Sequence, residues 1–417
     1  MAGTGESPET ATGRKNLPAA MTTDQKWRGE NLYLKYKYGS WIFGIKAFED
    51  IDKLARKVVN GCEVLVPTVV CERNFLDADP GFPIGNGFFK LNGKAYLVGG
   101  ETAEGKPWGA EVCGLPYQLL ESSKKSSGNF YEFSPDTNTL HLLDKLSLPL
   151  PMPSPIVVEI KGKVYVLYGD HCCQRRHGFP KDSENCFQVL ALDDDGKPHW
   201  KPLPAPPFYE YATRSHYFKD MVAVVGYKLY VEVGIELYAF DVDTLKWELG
   251  GHWFPSGAKT LSSRLMKEGK DCCFVVLYAM TYGDDPNQDG LYAALVDCKN
   301  GDLLHRQHVP KASPSMSSSY LVTYHVVELE QDGSAGHSCS PFCFVYTTCD
   351  DLVGVSVLRF SLAAASPDEK DSKRWFQWGT DRLTLKPEIL ESRLYEKPKS
   401  VNDLYTGHFD AVFLKAG

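Results

Sequence analysis

Short runs in which apolar and polar residues alternate, separated by Gly, Asn or Asp turns, fill most of the chain. A period of two predicts strands, since side chains on a strand point alternately to its two faces. Three runs share one text: Asn92-Gly93-Lys94-Ala95-Tyr96-Leu97-Val98-Gly99-Gly100, Lys161-Gly162-Lys163-Val164-Tyr165-Val166-Leu167-Tyr168-Gly169 and Gly226-Tyr227-Lys228-Leu229-Tyr230-Val231-Glu232-Val233-Gly234. Each reads as a tight turn feeding a Tyr-bearing strand. Recurrence every roughly 50 to 70 residues marks a repeat architecture.

A second signature follows each cassette. Phe130-Tyr131-Glu132-Phe133 precedes the turn Pro135-Asp136-Thr137-Asn138 and Leu140-His141-Leu142; Phe187 to Leu192 precedes Asp193-Asp194-Asp195-Gly196 and Trp200; Leu237 to Asp241 precedes Val242-Asp243-Thr244 and Trp247. Looser copies run from Leu291 to Asp297 before Lys299-Asn300-Gly301, and from Val355 to Phe360 through a long polar loop to Trp375. Apolar alternation, a polar turn and a returning strand describe an antiparallel hairpin. Each unit is thus four strands, and such units set radially form a β-propeller, which hides most strand edges. Units begin near Gly81, Ser154, Ala212, Lys259 and Ser317. A sixth can be assembled from the hairpin at Asn31 to Ile45 and the alternating strand Gly407 to Leu414, because an unpaired inner strand leaves its backbone unsatisfied. The expectation is an all-β fold, one propeller over residues 31–415 with six blades closed by N- and C-terminal strands; seven blades is the alternative count.

Outside this rhythm, residues 1–25 are rich in Gly, Ser, Thr, Pro and Ala and read as a disordered leader. Phe48 to Val59 is the one stretch with a helical pattern. With 43% hydrophobic and 12% aromatic residues among 417, the chain has material for a large core. A net charge of -8 argues against a nucleic-acid partner, which requires clustered Lys and Arg. No apolar run approaches the ~18 residues that span a bilayer, so no membrane partner is expected. The twelve cysteines include the adjacent pairs Cys172-Cys173 and Cys272-Cys273 and read as reduced thiols, which places the chain in the cytoplasm or nucleus.

The cassettes, with the double glycine Gly99-Gly100, single Gly169 and Gly234, and the later Trp residues, resemble the kelch-repeat superfamily. The stretch Ile235 to Phe254 is similar to uncharacterised kelch-like families expanded in grasses. The resemblance implies a plant kelch-like propeller and a protein-interaction role. The roughly thirty residues before the first strand are polar and fit no F-box helices, so an F-box adaptor is not expected.

The densest polar cluster is Asp170-His171-Cys172-Cys173-Gln174-Arg175-Arg176-His177, after the second cassette. Its Cys and His spacing matches no zinc pattern, but Arg175 and Arg176 suit bidentate binding of carboxylates. Tyr211, Arg214 and His216 precede the third cassette, and Arg264 stands before Cys272-Cys273. Blades in register would turn these residues toward one mouth, the expected partner-binding surface for an acidic protein segment. The ordinary alternative pairs each charge with a local Asp or Glu. No Walker loop, dinucleotide fingerprint, nucleophile elbow or His-Glu-x-x-His occurs, so no catalytic residue or cofactor is assigned. Glu101, Asp170 and His171 follow equivalent cassettes and form the alternative, a metal-dependent enzyme or small-molecule specifier with its site in the channel. The leading expectation is a monomeric, non-catalytic interaction scaffold.

Overall fold

The computed structural model describes residues 26–36, 41–59, 61–75, 82–103, 124–169, 183–192, 195, 197–211, 218–233, 236–250, 260–268, 271–280, 290–299, 301–309, 321–329, 341–348, 352–364, 376–378, 381–396 and 409–415. Blade 1 joins β1 (Glu30–Tyr36), β2 (Trp41–Ile45) and β5 (Val69–Asn74) to β29 (Phe409–Lys415), its innermost strand. Blade 2 runs outward through β6 (Gly87–Leu91), β7 (Lys94–Val98), β10 (Phe130–Ser134) and β11 (Thr139–Leu142). Blade 3 does so through β12 (Ile156–Ile160), β13 (Lys163–Leu167), β14 (Phe187–Leu192) and β15 (Pro198–Pro202), and blade 4 through β16 (Phe218–Val225), β17 (Lys228–Val233), β18 (Glu236–Asp241) and β19 (Lys246–Leu249). Blade 5 holds β20 (Thr260–Glu268), β21 (Asp271–Met280), β22 (Gly290–Asp297) and β23 (Leu303–His308). Blade 6 holds β24 (Leu321–Glu328), β25 (Phe342–Thr348), β26 (Leu352–Ala364) and β28 (Asp381–Glu396), with β27 (Phe376–Trp378) beside β28.

The fold is therefore a six-bladed β-propeller whose inner strands β29, β6, β12, β16, β20 and β24 each lie against the next in a closed ring. The expected mixed blade closes it: β1 and β29 pair antiparallel from Glu30↔Lys415 to Tyr36↔Phe409. Blades 4 and 5 are tied further by a short parallel ladder, Val222↔Thr260 and Ala223↔Leu261.

The three cassettes set a two-residue turn between the first and second strands of blades 2, 3 and 4. Asn92-Gly93 (φ 51 and 78) and Lys161-Gly162 (φ 55 and 71) have both central residues left-handed, the type I′ hairpin. At Gly226-Tyr227 only Gly226 has positive φ (63), the type II′ form. The third cassette therefore contains no inserted residue: its glycine has moved from the second central position to the first, and Lys228 still pairs across the turn as Lys94 and Lys163 do.

Every seam carries an apolar core. Blades 2, 3 and 4 share one large cluster, and separate clusters fill the seams 4/5, 5/6, 6/1 and 1/2. The outer-strand tryptophans work as staples between blades. Trp200 lies 5.9 Å from Phe130 of blade 2 and donates Nε1–H to Leu146 O at 2.7 Å, while Trp247 lies 5.4 Å from Phe187 of blade 3 and donates to Pro204 O at 2.9 Å. An indole satisfies both the apolar seam and a connection carbonyl that would otherwise lose its water.

Two expectations need correction. Phe48 to Val59 is not a helix: one 3-10 turn, Ile51–Lys53, is followed by β3 (Arg56–Val59), which pairs with β4 (Cys62–Leu65). Val58 and Val59 are β-branched, and Gly61 (φ 83) reverses the chain just beyond them, so the hairpin wins. Phe48 is drawn into the core between Trp27 and Phe413. The returning strand of blade 6 is β28 rather than a strand at Trp375, a residue outside the described ones. β28 pairs with β26 over almost its whole length and carries β4 in parallel at Tyr395↔Leu65.

Candidate functional site

Repeated strand direction sets which residues share an end of the ring. In blades 2 to 5 the second strand ends, the third begins, and the chain crosses to the next blade at one end, here termed the loop face. The chain leaves Val98 there and returns at Phe130, and leaves Leu167 to return at Phe187. At the opposite end blades 2, 3 and 4 have only their two-residue turns between first and second strands.

The roots of these excursions are fixed by backbone. Gly99 (φ 69) donates to Asn129 O at 2.9 Å, and Gly100 (φ 103) donates to Met152 O at 2.7 Å in the connection to blade 3. A Cβ on Gly99 would lie 2.7 Å from Met152 O, and one on Gly100 2.6 Å from Ile84 O, so two chains pass where no side chain fits. Glu101 follows, partly buried, exchanging backbone bonds with Ile84 (2.7 and 2.9 Å) and opening β8 (Glu101–Ala103) against β9 (Lys124–Ser126).

In blade 3, Tyr168 N donates to Cys186 O at 2.8 Å, which pinches the base of the excursion carrying Asp170, His171, Arg175 and Arg176. Those four residues lie outside the described ones. In the connection from blade 3 to blade 4, a single helical turn, Phe208–Tyr211, packs Phe208 against Tyr238 and Trp247. Tyr209 donates its hydroxyl to Tyr168 O, and burial raises this phenol well above its usual value, so it remains a donor. Tyr211 ends that turn; Arg214 and His216 follow it outside the described residues. The two connections bearing most of the expected arginines therefore spring from one anchor, Tyr209 on Tyr168. Arg264 is placed differently: it sits inside β20, the inner strand of blade 5, opposite Val275, rather than in a connection.

A further polar group lies at the ring's closure, and no motif announces it. Lys35 has no exposed surface, faces Asp410 across the β1–β29 ladder and donates Nζ to Tyr36 O at 2.7 Å. Burial lowers its pKa to about 7, against the pull of the Asp410 carboxylate. Asp410 Oδ2 accepts from Phe88 N of blade 2 at 3.2 Å. His325 of blade 6 also feels Asp410, which opposes the downward shift that burial imposes on the imidazole. The available signal was a lysine inside Leu32-Tyr33-Leu34-Lys35-Tyr36, a strand buried on both faces. Among the described residues no group of three or more His, Cys, Asp or Glu side chains is placed to hold a metal ion. Among them, too, no helix is long and apolar enough to cross a membrane.

Residues 126–254 match a family described as "Protein of unknown function (DUF1668)". No curated protein sequence matches the chain. Similar solved structures include "Structure of YjhT" (12% identity, TM-score 0.37, covering 84% of this chain and 91% of that one) and "Structure of apo AztD from Citrobacter koseri" (10% identity, TM-score 0.30, covering 92% and 98%). At those scores neither carries an argument about activity. What these residues establish is a six-bladed propeller that shares a segment, from the end of β9 to just beyond β19, with a family of unknown function.

Proposed function

We propose that the chain is a divergent, plant-type kelch propeller that serves as a non-catalytic scaffold, binding an acidic segment of a protein partner at its loop face. The observation that carries this reading is the shared anchor of Tyr209 on Tyr168, which roots the excursion bearing Arg175 and Arg176 beside the connection bearing Tyr211, Arg214 and His216. Arginine forks suit carboxylates, and several of them offered to one segment would bind better than any single exposed ion pair does. Arg264 lies on the inner strand β20 rather than in a connection, so the proposed basic surface rests on the other arginines. Six of the described cysteines, Cys62, Cys71, Cys186, Cys273, Cys298 and Cys343, are free thiols, which supports a reducing compartment, cytoplasm or nucleus. The proposed scaffold is a monomer.

The test is affinity capture from native tissue with wild-type protein and with the Arg175→Ala/Arg214→Ala double variant. The double variant is expected to lose the partner at least about tenfold, as removal of two charge-assisted contacts implies. Undiminished capture would overturn the site. Stoichiometric iron or zinc in the purified protein would point instead to the metal-dependent reading built on Glu101, Asp170 and His171.

A further inference from the structure

The ring is closed by a ladder rather than by chain continuity, since β1 and β29 come from opposite ends of the described chain. Side chains alternate along both strands: Leu34, Tyr36, Phe409 and Ala411 face blade 6, while Tyr33, Val412 and Leu414 join blade 2. Lys35 and Asp410 have the parity of the second set and stand opposite one another. Asp410 is gripped by the Phe88 amide of β6, and His325 comes from β24 with its ring 6.5 Å from that of Phe409. A partly exposed carboxylate thus stands in register with a fully buried lysine, with an imidazole against the neighbouring Phe409, where the inner strands of blades 6, 1 and 2 converge.

We propose that Lys35, Asp410 and His325 form a proton-sensitive latch on the ring, which holds β29 to β1 at neutral and mildly alkaline pH and loosens that strand on acidification. Above about pH 7 the buried Lys35 amine is neutral and the partly exposed Asp410 keeps contact with solvent. Acidification puts a positive charge on the fully buried Lys35 and then a second on His325, against a single carboxylate.

The sign follows from proton linkage. Burial lowers Lys35 from its ordinary 10.5 to about 7, and also lowers His325 below its ordinary 6.5, so both bind fewer protons in the closed ring than when exposed. Closure therefore strengthens as pH rises from about 7 toward 10.5 through Lys35. It weakens further as pH falls below 6.5 through His325. Among the described residues, the neighbouring phenols and thiols do not blur this window. The Tyr33 phenol is raised by burial, Cys71 and Tyr395 are each pushed up to about 12, and Cys343 is raised well above its usual value, so all four stay neutral. Among the described residues, Glu30 faces Lys415 and meets Lys90 of β6 at 3.5 Å, and Glu391 is held by Arg393 and Arg28 on the blade 6 side.

Hydrogen exchange resolved by segment, near pH 9 and near pH 5.5, tests the latch by comparing protection factors of β29 with those of β12, the inner strand of blade 3. On acidification β29 should lose at least about tenfold more protection than β12. Lys35→Met should abolish most of that difference, and His325→Gln should remove the part that develops below pH 6.5. Equal responses of β29 and β12 in the wild-type protein would overturn the proposal without recourse to any variant. A folded Lys35→Met protein with an undiminished difference would do the same. Should that variant not fold, a full acid response below pH 6.5 in His325→Gln is the equivalent refutation.

Discussion

Replacing Gly99 by Ala separates two costs that usually travel together, and Gly93→Ala in the other end of the same hairpin supplies the control. Both glycines have left-handed backbone, φ 69 and 78. A methyl group at either position therefore incurs about 1 kcal/mol of conformational penalty. At Gly93 nothing lies within 4 Å of the added Cβ, so the cost ends there. At Gly99 the Cβ would stand 2.7 Å from Met152 O and 2.9 Å from Pro155 Cγ, and neither can rotate away because one is backbone and the other a ring. Relief requires a shift of the blade 2 to blade 3 connection, at a cost of about 1–3 kcal/mol by analogy with overpacked cores. That shift would also stretch the bonds from Gly99 N to Asn129 O (2.9 Å) and from Gly100 N to Met152 O (2.7 Å). The expected loss is about 2–5 kcal/mol for Gly99→Ala against about 1 for Gly93→Ala. Urea unfolding followed by tryptophan fluorescence and by circular dichroism measures both, with agreement between probes showing whether one transition describes the ring. Equal midpoint shifts for the two variants would refute the claim that the double glycine exists for close backbone approach.

The tryptophan staples predict a graded pair. Trp200→Phe keeps the contact with Phe130 but abandons a part-buried bond to Leu146 O, costing about 1–2 kcal/mol, whereas Trp247→Phe abandons a more exposed one to Pro204 O and costs about 0.5–1, read as urea midpoints. Native thiol labelling near pH 8, localised by mass spectrometry, should modify Cys62 and Cys298, which are partly exposed, long before the buried Cys71, Cys186, Cys273 and Cys343. Burial pushes Cys71 up to about 12 and Cys343 well above its usual value, so neither presents a thiolate; early labelling of either would contradict the packing described for blades 1 and 6.

Much of the ring was legible because local chemistry and blade geometry agree. A two-residue turn with Gly sets register, alternation sets which face packs, and the unit starts near Gly81, Ser154, Ala212, Lys259 and Ser317 each fall within a few residues of an inner strand. Legibility failed where a distant partner decides the conformation. Phe48 to Val59 has apolar spacing compatible with a helix, yet the pull of Trp27 and Phe413 on Phe48 and of β28 on the inserted hairpin comes from elsewhere in the chain. β28 was masked by its composition: Pro387 argues against a strand, and is tolerated because that stretch has β26 on one side and no described partner on the other.

The candidate site was legible only in its residue types. Arg175 and Arg214 lie outside the described residues, and what the structure relates is the roots of their connections, through Tyr209 reaching Tyr168, a bond that no spacing rule encodes. Lys35 was hidden for a related reason, since its partner Asp410 comes from the far end of the chain and meets it only because the ring closes. Residues 126–254, the segment shared with a family of unknown function, contain both tryptophan staples, Met152 and the Tyr168–Tyr209 anchor. The stretch that makes this sequence recognisable is therefore the one that fixes where the loops begin. The closing blade, which lies entirely outside that segment, carries the buried Lys35 and, in register with it, Asp410. If those charges govern how firmly the ring closes, the loop roots of blades 2 to 4 can stay rigid while blade 1 responds to protons, because the latch and the anchors share no residue. If the loop face binds a partner as proposed, capture should survive mild acidification after β29 has begun to lose protection, and loss of capture before β29 loosens would refute that order of events.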